Sequence, residues 1–65
     1  MTITNQLGTM ELDDEKKPSP EDMTAIIFYL TTEENFQVLS EASVNFPCDT
    51  VAEFNLACLE WLARH

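Results

Sequence analysis

Three kinds of side chain in this sequence could do chemistry: one histidine, two cysteines and several adjacent carboxylates. General-base or nucleophilic work needs two or three such groups held together. His65 stands alone beyond the last apolar stretch, where a helix end frays. Cys48 and Cys58 form no Cys-x-x-Cys pair, and no second histidine could complete a zinc site. A helix starting just after Cys48 would carry Cys58 about 12 Å away, at about 1.5 Å per residue. A disulfide needs Cα atoms within about 7 Å, so two free thiols are expected, as in a reducing cytoplasm. The carboxylate pairs Asp13-Asp14, Glu21-Asp22 and Glu33-Glu34 lie in polar stretches and read as solvated charge. Gly8 is the sole glycine, which leaves no phosphate-cradling loop and no calcium loop of the EF-hand type. No catalytic residue, metal ligand or cofactor is expected, and the chain reads as a non-enzyme.

What remains is charge and apolar surface. Twelve Asp/Glu face three Lys/Arg over 65 residues, a net charge of −9. Nothing here could neutralise phosphates, so direct nucleic-acid binding is excluded, and anionic lipid would repel the chain. Hydrophobic residues still make up 45%, enough for one small core rather than a disordered acidic polymer. Met1–Met10 has no positive charge and no long apolar run, which argues against a secretory leader. The longest apolar run, Ala25–Leu30, is far too short to span a membrane. A cytoplasmic protein is expected.

The elements that would position this surface fall into two parts. Residues 1–22 hold six of the twelve acids, two of the three prolines and both lysines. Few apolar residues (Ile3, Leu7, Met10, Leu12) interrupt them. This segment is expected to be a flexible acidic arm, with Thr2-Ile3-Thr4 able to add a short strand as the competing reading. Residues 23–65 are expected to form the folded domain. Residues 24–31 are β-branched and aromatic, and Thr31–Asn35 has the length of a hairpin link. Phe36, Val38, Ser40, Ala42, Val44 and Phe46 alternate with polar residues, with Leu39 the one exception. These features favour strands over 24–31 and 36–46.

A second reading makes the same region helical. Ser19 stands at an N-cap with Pro20 first and Asp22 third in the helix. Met23, Ile26, Ile27 and Leu30 would share its inner face, and Phe36, Leu39 and Ala42 that of the next helix. From about 50 to 64 both readings give a helix, opened by Thr50 and Glu53 in capping-box spacing. The expected class is therefore α+β, a hairpin followed by a C-terminal amphipathic helix, with three short helices as the all-α alternative.

That last helix has more apolar surface than a hairpin can cover. On a wheel, Val51, Phe54, Cys58, Trp61 and Leu62 cluster, and Ala52, Leu56, Leu59 and Ala63 extend the arc to about 220°, where a surface helix needs about 100°. Either the arm folds back over the excess, or the excess is an interface. Contact residues are expected at Trp61, Phe54, Leu59, Leu56 and Leu62. Glu33, Glu34, Glu41, Glu53 and Glu60 would form the acidic surface around them.

The order of two strands, then Cys48-Asp49-Thr50-Val51-Ala52-Glu53 opening an amphipathic helix, resembles the partial ββα module of HicB-type antitoxins. The glycine usual before that module's helix is absent here. The same outline is similar to short acidic bacteriophage proteins that inhibit host machinery by docking on it. The resemblance implies a small regulator encoded by a phage or mobile element. Its partner would be a protein with a basic surface, which the chain could engage by mimicking nucleic-acid charge. The competing expectation is a homodimer whose acidity serves only solubility.

Overall fold

A computed structural model describes all residues, Met1–His65. The chain begins with an antiparallel hairpin, β1 (Thr2–Asn5) and β2 (Gly8–Glu11), and continues through three helices: α1 (Pro20–Leu30), α2 (Glu33–Ala42) and α3 (Val51–Arg64). A single 3₁₀ turn at Ser43–Asn45 extends α2. The class is α+β. The hairpin, however, lies in residues 2–11, and residues 24–31 and 36–46 are helical where strands were expected.

Side-chain period explains both differences. Met23, Ile26, Ile27 and Leu30 recur at i, i+3, i+4 and i+7, a helical stripe, and Ile26 and Ile27 are buried. The start is specified locally. The Ser19 N–H donates to Asp22 Oδ2 at 3.2 Å and the Asp22 N–H donates to Ser19 Oγ at 3.1 Å, a reciprocal capping box. Pro20 supplies a preset φ where no helical N–H is needed. Val38 in α2 and Val44 in the turn that follows it point outward, 51% and 79% exposed, while Leu39 is fully buried. The residue that broke the alternation is the one that anchors the helix. The antitoxin likeness rested on strands over 24–46 and loses that support.

Residues 1–22, expected as a flexible arm, carry the hairpin and close the core. Ile3 faces inward between outward Thr2 and Thr4, and Gly8 turns the chain at φ +133°, a conformation natural only to glycine. Asn5 Oδ1 accepts from the Leu7 N–H at 2.7 Å, and Asn5 Nδ2 donates to the Tyr29 carbonyl at 2.9 Å, tying the turn to α1. The link after β2 then caps α3. The Val51 N–H donates to the Lys16 carbonyl at 2.8 Å and the Ala52 N–H to the Asp14 carbonyl at 3.1 Å. The Glu53 N–H donates to Thr50 Oγ1 at 3.1 Å and the Phe54 N–H to the Thr50 carbonyl. The three orphan donors of the first turn, at Val51, Ala52 and Glu53, are thereby satisfied. No side-chain bond from Glu53 back to Thr50 completes the expected box.

Ile3, Ile26, Ile27, Leu39, Val51, Phe54 and Cys58 form the core. Each contributes about 1.5–3 kcal/mol of burial at most. Phe46 leans on Phe54 with ring centroids 6.3 Å apart. No helix is long and apolar enough to cross a membrane.

Candidate protein-binding surface

The wide apolar arc of α3 divides into two faces. Val51, Phe54 and Cys58 point into the core and are fully buried. Trp61 and Leu62 pack against its margin, half-covered. Ala52, Leu56, Leu59 and Ala63 lie about 140° further round, at about 100° per residue, and all four are exposed. Leu56 is 57% and Leu59 44% exposed. Their 4-3-4 spacing is that of a coiled-coil seam.

The expected contact residues are therefore split. Phe54 belongs to the core and lies out of reach of any partner. Trp61 is tied down on its own side, its ring 4.2 Å from that of His65. Leu56 and Leu59 remain as the outward pair, with Leu62 at the border between seam and core.

The acids divide as well. Glu33, Glu34, Glu41, Glu53 and Glu60 are all exposed, but only Glu53 and Glu60 stand on α3. On the wheel both flank the seam on one side, next to Arg64. Asn55 and Leu62 flank it on the other, and Asn55 Oδ1 is buried without a hydrogen-bond partner. The loop that caps α3 sets the Asp14 and Lys16 carbonyls on the Ala52 and Val51 N–H groups, so the acidic segment Asp13-Asp14-Glu15 runs past the N-terminal end of the helix that carries Glu53. Two charges there are compensated: Asp14 lies 2.7 Å from the Met1 amine, and Lys16 Nζ lies 3.4 Å from Asp22. Asp22 also accepts the Ser19 N–H, and that bond, ahead of the attraction of Lys16, holds its carboxyl below the usual value.

A second apolar area lies where the hairpin turn, the end of α1 and the start of α2 meet. Leu7 at the hairpin turn, Phe28 on α1 and Phe36 on α2 line an open groove of about 730 Å³ with Glu33 at its rim. Phe28 and Phe36 meet edge to face at 6.1 Å. Sequence reading missed Leu7 and Phe28 as surface residues, because each sits within a run whose other members are buried or polar.

The thiols offer no reactive pair. Both are free; Cys48 is exposed and Cys58 is buried. Burial pushes the Cys58 thiol up to about 11, so it is neutral near pH 7 and a poor nucleophile. No group of three or more His, Cys, Asp or Glu side chains is placed to hold a metal ion. Comparison with protein-family models, curated proteins and solved structures returns no match.

Proposed function

We propose that this chain is a non-catalytic acidic regulator that acts by protein–protein contact, docking on the basic surface of a larger protein. The observation that carries this reading is the exposed seam of α3, with Leu56 and Leu59 unburied beside Glu53 and Glu60. A domain of this size gains by burying every leucine it has. Two left outside at coiled-coil spacing mark a contact site. The net charge of −9 steers the chain toward positive surfaces and away from nucleic acid and anionic membranes. A groove shaped for phosphate is one such surface, so charge mimicry and inhibition of a nucleic-acid-handling protein fall within the reading.

The test is capture of basic proteins from lysate by tagged wild type and by the Leu56→Ser/Leu59→Ser variant, each at low and high salt. The expected result is a basic partner held by wild type at low salt, weakened at high salt and lost in the variant. Capture that ignores both salt and the two leucines would overturn the reading.

One observation favours a homodimer as the second reading. Ala52, Leu56, Leu59 and Ala63 read the same in both directions, so two antiparallel copies could pair about an axis at the middle of the seam. Sedimentation of wild type at low and high salt decides it, because screening the −9 of each copy would promote self-association.

A further inference from the structure

The seam and its charges are arranged with a direction, and that direction names its occupant. Resting on the reading above, we propose that the outer face of α3 receives a single amphipathic helix of the partner. That helix lies antiparallel to α3, with Lys or Arg residues concentrated in its C-terminal half.

A helix is the shape that fits, since a 4-3-4 row of Ala52, Leu56, Leu59 and Ala63 accepts knobs from another helix and little else. The small residues at both ends allow close approach there, while the central leucines fill the middle. The charges then set orientation. At the N-terminal end of α3, Glu53 stands on the helix, Asp49 just precedes its Thr50 cap, and the capping loop carries Asp13 and Glu15, with Asp14 paired to the Met1 amine and Lys16 to Asp22. Lys17 is the remaining cation in that loop, so this end is net negative. At the Ala63 end Arg64 offsets Glu60. A basic segment is therefore drawn to the Ala52 end. Cations favour the last turn of a helix, where the carbonyl end of the dipole is negative. A helix basic near its C-terminus satisfies both demands only when antiparallel to α3.

A second copy of this chain meets the same geometry poorly. Antiparallel pairing of two α3 helices sets Glu53 of one against Glu60 of the other, twice, and parallel pairing brings the two acidic ends together.

The experiment uses hydrocarbon-stapled model helices of about 15 residues, since shorter unstapled ones do not hold their form in water. One probe has a Leu/Ala seam and lysines in its C-terminal half. A second has the same composition with lysines in its N-terminal half. A third is a scrambled sequence without a seam. Fluorescence anisotropy at low salt measures affinity, and amide chemical shifts map the contact. The expected result is that the first probe binds about tenfold more tightly than the second, perturbs Leu56 and Leu59, and loses binding to the Leu56→Ser/Leu59→Ser variant. Glu53→Gln should narrow the gap between the two probes. Circular dichroism confirms that both variants stay folded. Equal binding of the first two probes overturns the orientation. Binding of the scrambled probe as tight as the first, or binding indifferent to the leucines, overturns the site while leaving a basic partner in place. Failure of every lysine probe to bind at low salt overturns this inference, while salt-sensitive capture of a basic protein from lysate would leave the proposed function standing.

Discussion

The two faces of α3 are both apolar and have opposite fates. Val51, Phe54 and Cys58 are fully buried, whereas Ala52, Leu56, Leu59 and Ala63 are exposed on the same helix. Hydrophobicity does not separate them, because leucine is as apolar as valine. What separates them is that α1 packs against one side only, with Leu39 and Ile3 joining the same core. The inner face holds the molecule together, and the outer face is left for something else.

Substitution on the inner face is the strongest way to test that division. Phe54→Ala should cost about 3–5 kcal/mol, read as a lowered urea midpoint, and in so small a domain it should leave much of the protein unfolded. A loss below about 1 kcal/mol would place Phe54 outside the core.

The elements that close the inner face come next. Gly8→Ala forces a Cβ into φ +133° and should cost about 1–3 kcal/mol, with Ile3 protection in hydrogen exchange falling first. Ser19→Ala removes one half of the α1 capping box and should cost about 1 kcal/mol. Asp22, held below its usual value by the Ser19 N–H and Lys16, contributes stability above the unfolded carboxylate value, which is lost as pH falls through the folded one. An acid titration of thermal stability should therefore show a shallower decline in Ser19→Pro, which lacks that N–H, than in wild type.

Cys58 gives a titration of the inner face itself. Its folded value of about 11 lies above the usual 9.0, so the stability it contributes is complete below pH 9 and lost as pH rises toward 11. Thermal scans should show that decline in wild type and a flatter one in Cys58→Ala, whatever the starting stability of the variant.

The smallest expected effect on the fold is on the outer face. Leu56→Ser and Leu59→Ser should each change stability by less than about 0.5 kcal/mol, in the same urea experiment that unfolds Phe54→Ala. A large loss from either would mean that the outer face is covered within the monomer.

Some elements were legible in order of residues alone. The Ser-Pro-x-Asp start of α1 and the Thr50 start of α3 depend on contacts within four residues, so local chemistry reveals them. The helix over 33–42 was harder. Phe36, Val38, Ser40, Ala42 and Val44 satisfy a two-residue period, and only Leu39 argues for the other one. Which period holds, about 2.0 or about 3.6 residues, decides between strand and helix, and burial of Leu39 in the core resolves it. The hairpin at 2–11 is weak in sequence because only Ile3 is buried. Its stability comes from Asn5 reaching Tyr29, 24 positions away. Of the expected contact residues, Leu56 and Leu59 lie outward and Phe54 inward, a distinction that hydrophobic pattern alone cannot make.

By itself, the sequence determined the acidity, the α+β class and a C-terminal helix too apolar for one packing neighbour. Only the tertiary structure decided which part of that arc is core and which is surface. It also bound the N-terminal segment to the start of α3, through the Asp14 and Lys16 carbonyls. The physical reason is that composition and periodicity are properties of a segment, while burial depends on what packs against it. Here the deciding neighbours, Asp14 and Lys16 against Val51 and Ala52, lie more than thirty positions away along the chain.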